Sequence, residues 1–130
     1  MSDIAPRTPV LVVDDSTIVR RYMREALERA QFAVEEAFNG VEAIEKILAH
    51  PFELLIVDVN MPKMDGYAFL RALRGRADAH AAIPALMTST EAGAQDIAAA
   101  EAAGANYYLV KPVTQDDLVL YAKALTGRSS

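Results

Sequence analysis

The chain contains no cysteine, so no disulfide framework holds it together. It also lacks a long apolar run: its hydrophobic stretches are short and separated by polar turns, which argues against a membrane-crossing segment. The opening MSDIAPRTP has neither the basic start nor the apolar core of a signal peptide, and a cytoplasmic address is expected. An excess of positive charge is missing as well. A net charge of −5 disfavours non-specific binding to a nucleic-acid backbone, and DNA is not expected as a partner. Arg20, Arg21, Arg24 and Arg29 form a local basic group that reads as a solvated helix face. His50 and His80 are far apart and have no metal-ligand spacing, so both read as solvated loop residues. No low-complexity segment or linker interrupts the chain. Its 130 residues have room for one core, and a single domain over 1–130 is expected, ordered over about 8–126 and without an output domain.

What is present is an alternation. Apolar residues make up 52% of the chain, enough for a substantial core, and they fall into five short runs separated by helical patterns. Pro9 to Val13 reads as a strand, and Ser16 as the N-cap of a following helix. Phe32 to Ala37 is a second strand, with Asn39-Gly40 turning into a helix that His50-Pro51 closes. Leu54 to Val57 is a third strand, followed by a helix over Asp65 to Leu73. Ile83 to Met87 and Tyr107 to Val110 complete the set, with helices over Ala94 to Ala103 and over about Gln115 to Thr126. Continuous apolar strands joined by helices imply an α/β fold, a doubly wound parallel sheet covered on both faces.

In such a fold every strand ends at the same edge, where connecting loops form the ligand crevice. Asp14, Asp15, Asp58 and Lys111 all stand at strand ends and are expected to converge there. Carboxylates gathered in this way raise one another's proton affinity unless a cation compensates, and hard oxygen ligands favour Mg²⁺.

Four segments in this order, VVDDS, IVDVNMPKMDG, MTSTEA and YYLVKP, resemble the receiver domain of bacterial two-component response regulators, in particular single-domain CheY-type receivers. The resemblance covers nearly the whole chain. It implies a flavodoxin-like sheet of five parallel strands in the order 2-1-3-4-5, flanked by five helices; that order is carried over from CheY by resemblance and does not follow from the spacing of the runs. By resemblance, Asp58 matches the phosphoacceptor, which takes a phosphoryl group from a histidine kinase or a histidine phosphotransfer protein. Asp15, Asp14, Asp58 and the Asn60 carbonyl match the Mg²⁺ ligands. Lys111 and Ser89 match the groups that hold the phosphoryl oxygens, and Tyr108 the aromatic switch. Asn60 and Glu91 match the positions that tune dephosphorylation. The resemblance further implies a phosphorylation-activated signalling switch that acts only on itself and then binds a partner protein, with chemotaxis and the flagellar motor switch as the leading assignment. The alternatives are a phosphorelay intermediate or a phosphate sink.

Taken singly, the residues have plainer readings: Asp14 as a helix-capping acid, Tyr108 as a core aromatic, Asp65 and Gly66 as turn and helix start. For Asp65 and Gly66 the plainer reading is kept, and Met61, Met64 and Met87 read as packing residues. An aspartate-nucleophile phosphohydrolase would also use a strand-end acid and Mg²⁺, but needs a second acid two residues on, where this chain has Asn60. The fourth and fifth helices depart from motor-binding regulators in having alanine, glycine or apolar residues in place of basic ones. In DLVLYAKAL, placing Leu118, Ala122 and Leu125 inward leaves Val119, Leu120, Tyr121 and Ala124 outward. That pattern predicts an apolar interface centred on Leu120 and Tyr121 beside Tyr108, used for a downstream target or for self-association; the plainer alternative folds Tyr121 back over the core and leaves the rest as tolerated exposed residues.

Overall fold

Burial on both faces is what distinguishes the central strands. In the computed structural model, which describes residues 6–128, all five residues of β3 (Leu54–Asp58) and of β4 (Ala85–Ser89) are buried. β1 (Thr8–Val13) lies beside β3, while β2 (Phe32–Ala37) and β5 (Tyr107–Val110) form the edges, giving the order β2-β1-β3-β4-β5. Every pairing is parallel. Residues 1–5, where no signal-peptide pattern is expected, and 129–130 lie outside the described residues.

The two-residue repeat of a strand sends alternate side chains to opposite faces and so divides the core in two. Leu11, Val13, Leu55, Val57, Ala85 and Met87 pack with α2 (Gly40–Ala49), α3 (Gly66–Arg74) and α4 (Ala94–Ala103). Val10, Val12, Leu54, Ile56 and Leu86 pack with α1 (Thr17–Arg29) and α5 (Gln115–Leu125). Truncating a fully buried leucine such as Leu55 or Leu86 to alanine removes about 2–5 kcal/mol of stability.

The helices begin where their caps dictate. Ser16 Oγ accepts from the Val19 N–H, Asn39 Oδ1 from Glu42, Asp65 Oδ1 from Ala68 and Thr114 Oγ1 from Asp117. α4 ends at Gly104, whose φ of 104° is left-handed and suits glycine.

Three details differ from the sequence expectation. β4 starts at Ala85 rather than Ile83, because Pro84 has no N–H for the ladder and contributes only its carbonyl, to the Leu55 N–H. A short 3₁₀ turn at Ala79–Ala82, capped by Asp78, precedes it and half-buries His80 beside the Asp78 carboxylate. On α5, Leu118 and Ala122 are buried and Leu120 is 59% exposed, but Val119 and Tyr121 are only half-exposed and lean on the core. Tyr121 stacks on Tyr107 of β5, with ring centroids 4.4 Å apart, so two amphipathic rings shelter each other at the sheet edge.

Candidate phosphoacceptor site

Register brings the acids together. Val13 pairs with Val57, so Asp14 and Asp58, each one residue further along, leave the sheet side by side. Both continue the alternation of the face covered by α1 and α5, as does Lys111, one residue beyond β5. The ladder carries on to the edge, with the Val59 N–H donating to the Thr88 carbonyl at 2.9 Å and the Lys111 N–H to the Ser89 carbonyl at 2.7 Å.

Lys111 Nζ donates to Asp14 Oδ2 and to Asp58 Oδ1, each at 3.1 Å. Asp14 and Asp58 are almost wholly buried, whereas Asp15 is exposed. Burial first, and then the Asp14 charge, push the Asp58 carboxyl above its ordinary range; Lys111 and the Asn60 backbone N–H oppose them without cancelling them. Burial alone would lower the Lys111 ammonium, but the facing charges of Asp14 and Asp58 outweigh it and hold the group above its usual value.

Carboxylate oxygens of Asp14, Asp15 and Asp58 lie within 4.8 Å of one another. Three hard anionic ligands this close, with one ammonium between two of them, carry uncompensated negative charge and suit a small divalent cation such as Mg²⁺. Asn60, two residues beyond Asp58, is exposed.

The hydroxyl and aromatic positions come from the other face of the sheet. Ser89 is fully buried at the end of β4, and its Oγ accepts from the Glu91 N–H at 3.1 Å. Tyr108 is half-buried against the α3 and α4 side of the core, and its hydroxyl donates to the Glu91 carbonyl at 2.7 Å. One backbone residue of the β4–α4 loop therefore touches both Ser89 and Tyr108.

Gly66 begins α3 directly behind Asp58. Its N–H donates to the Val59 carbonyl at 2.8 Å. A Cβ built there would collide with the Asp58 carbonyl oxygen and stand 2.9 Å from Val59 Cα.

Leu120 and Tyr121 lie apart from the acids, on α5. With Tyr108 they border the edge formed by α4, β5 and α5, where Ile97, Tyr107 and Val110 are also exposed.

Two features go beyond the sequence expectation. An apolar groove of about 540 Å³ opens beside Lys111, lined by Ile18, Tyr22, Met23, Pro112 and Val113. Ile18 is 79% exposed, an unusual aliphatic in the first turn of α1, and is the one sequence signal for that groove. The basic group of α1 is also not uniformly solvated. Arg20 and Arg24 are ion-paired to Glu36 of β2, while Arg21 and Arg29 are exposed.

Comparison with known proteins agrees with this geometry. The family model described as response regulator receiver domain matches residues 10–123. The chain is 37% identical over 128 residues to the transcriptional regulatory protein ResD of Bacillus subtilis, covering 98% of this chain and 52% of ResD. It is 36% identical over 120 residues to the response regulator MprA of Mycobacterium tuberculosis, covering 92% of this chain and 51% of MprA. The chain thus spans about half the length of these curated relatives. Among solved structures, the chemotaxis response regulator CheY4 of Vibrio cholerae superposes with a TM-score of 0.86 at 34% identity, covering 92% of this chain and 98% of that one. With the five-stranded order, the strand-end acids and the family match in agreement, the chain belongs to the response regulator receiver domain family.

Proposed function

We propose that Asp58 is the phosphoacceptor of a signalling switch. The observation that carries this is the bridge from Lys111 to Asp58 and Asp14, which places a buried carboxylate, a second acid and an ammonium at one strand edge. An Asp58 oxygen attacks the phosphorus of a phosphohistidine; the new P–O bond forms as the P–N bond breaks, and the imidazole nitrogen leaves with the electron pair and takes up a proton. Bound by Asp14, Asp15, Asp58 and the Asn60 carbonyl, Mg²⁺ would supply the charge screening that lets an anionic phosphoryl group approach an anionic nucleophile. Lys111 then pairs with a phosphoryl oxygen, and Ser89 donates its hydroxyl to another. Moving Ser89 Oγ frees the Glu91 N–H, and the Glu91 carbonyl is the group that holds Tyr108, so the loop passes the phosphorylated state on to β5. The groove at Ile18 and Pro112 borders Lys111 and offers an apolar seat to the phosphodonor.

The reaction is confined to the protein itself, as self-phosphorylation and self-dephosphorylation. Its output is binding of a downstream protein through α4, β5 and α5. Chemotaxis control is the leading assignment, supported by the similarity to CheY4 over nearly all of that chain. A role in transcription control is the second reading, supported by the identity to the transcriptional regulatory protein ResD. Capturing partners with and without beryllofluoride, a phosphoryl mimic, separates the two.

The test of the acceptor is Asp58→Asn. This variant keeps the side-chain volume and loses the anionic nucleophile, so labelling by acetyl phosphate with Mg²⁺ should vanish while the circular dichroism of the fold remains. Undiminished labelling of the variant would refute the assignment.

A further inference from the structure

We infer that Arg20 is a positioning residue for the acid pair, setting the geometry in which Asp15 meets a divalent cation. The inference rests on the reading of Asp14, Asp15 and Asp58 as a cation site.

Arg20 projects from the first turn of α1, its N–H bonded to the Ser16 carbonyl. Its side chain is only 13% exposed and uses its donors in three directions. Nη1 donates to the backbone carbonyl of Asp14 at 2.6 Å, Nε to Glu36 Oε1 at 2.8 Å and Nη2 to Thr17 Oγ1 at 3.2 Å. Glu36 is itself fixed: Arg24 Nε donates to its second oxygen at 2.6 Å, and Lys46 of α2 donates to its backbone carbonyl. The guanidinium is therefore clamped on β2 at one side and grips the end of β1 at the other.

What it grips matters. Asp14 has other restraints on its side chain, since Oδ1 accepts from the Ser16 N–H at 2.9 Å and Oδ2 from Lys111. Among the described residues no such hydrogen bond or ion pair holds the Asp15 carboxylate. Its direction is set by its backbone, and the Asp14 carbonyl belongs to the peptide plane that joins the two acids. A charge-assisted bond to that carbonyl fixes the plane from which the Asp15 backbone, and so its side chain, departs. Groups that orient a metal ligand from behind typically change metal affinity by about 10–100-fold when removed.

The sign of the effect separates this role from simple electrostatics. Removing a cation near three carboxylates makes the site more negative and, acting through charge alone, tightens Mg²⁺ binding. Loss of positioning weakens it. The experiment is isothermal titration of Mg²⁺ into the parent chain, Arg20→Ala, Arg20→Lys and, as a charge control, Arg21→Ala at the exposed neighbouring arginine. Arg20→Ala should weaken Mg²⁺ binding by about tenfold. Arg20→Lys, which keeps the charge but cannot span Asp14 and Glu36 together, should also weaken it, and Arg21→Ala should not. Parental affinity in Arg20→Ala overturns the inference; if that variant loses the parent's far-UV circular dichroism, parental affinity in Arg20→Lys does so. A parent that binds no Mg²⁺ overturns the cation-site reading and this inference with it, whereas tight binding by the parent alongside an unaffected Arg20 variant overturns this inference alone.

Discussion

Lys111 and Asp58 are joined across the width of β4 by a 3.1 Å contact between Nζ and Oδ1, and the same ammonium reaches Asp14 at 3.1 Å. One cation thus serves two buried anions. On the proposed role of Asp58, phosphorylation should redirect this ammonium as well as add a group to the carboxylate.

Lys111→Ala should therefore separate metal binding from switching. With the ammonium gone, Asp14 and Asp58 face each other without a counter-charge, and the metal-free protein should lose about 1–3 kcal/mol of stability at neutral pH. Saturating Mg²⁺ should restore much of that loss, because a ligand that binds only the folded state stabilises it by about 2.7 kcal/mol at one hundred times its dissociation constant. Thermal melts in EDTA and in Mg²⁺ measure both effects. Beryllofluoride should still bind weakly but should no longer shift the Tyr108 environment, and a full response in this variant would remove Lys111 from the switch.

Glu36 makes stability depend on pH. Burial by itself would raise its pKa, but the bonds from Arg24 and Arg20 outweigh burial and hold the carboxyl below its usual range. A depressed folded pKa contributes stability that is present above the ordinary carboxylate pKa and is lost as pH falls through the lower folded value. Glu36→Gln should accordingly cost about 1 kcal/mol at neutral pH, and the gap between variant and parent should close in acid, below the folded pKa. Urea melts across that range test the sign; a gap that widens in acid would contradict it.

The lifetime of the phosphorylated state should depend on Asn60 and Glu91. Both side chains are exposed, on the loops that follow β3 and β4. Neither is bulky and apolar, so water has a path to the phosphoryl group, and decay in seconds to minutes is expected. Placing leucine or phenylalanine at both positions should lengthen the decay severalfold, read from loss of acetyl-phosphate label in a chase. An unchanged rate would show that water arrives by another route.

Leu120→Glu tests the output face. The side chain is 59% exposed beside the Tyr107–Tyr121 stack, so the charge should change stability by less than about 0.5 kcal/mol. It should abolish self-association or target binding in beryllofluoride, followed by sedimentation, and leave labelling of Asp58 intact. Equal association of variant and parent would exclude this face.

Much of the architecture is legible in the sequence because parallel strands buried on both faces leave unbroken apolar runs, as in Leu54 to Val57. The acids are legible because each follows such a run directly. The start of β4 is not, because Ile83 is apolar, while the ladder depends on an N–H that Pro84 does not have. Arg20 reads as solvated because its partner, Glu36, lies sixteen residues away on another element, and helix periodicity carries no information about that contact. Tyr121 reads as outward for a similar reason, since the ring that covers it belongs to β5.

Gly66 gives Asp58 a second kind of dependence. Its missing side chain is the gap into which the Asp58 and Val59 backbone fits, so the end of β3 is seated against α3 by vacant space as well as by the Gly66 N–H bond to the Val59 carbonyl. Alanine at that position would introduce no charge and remove no ligand, yet it would lift the strand end that carries the carboxylate. A single methyl group would act as a wedge beneath the end of β3.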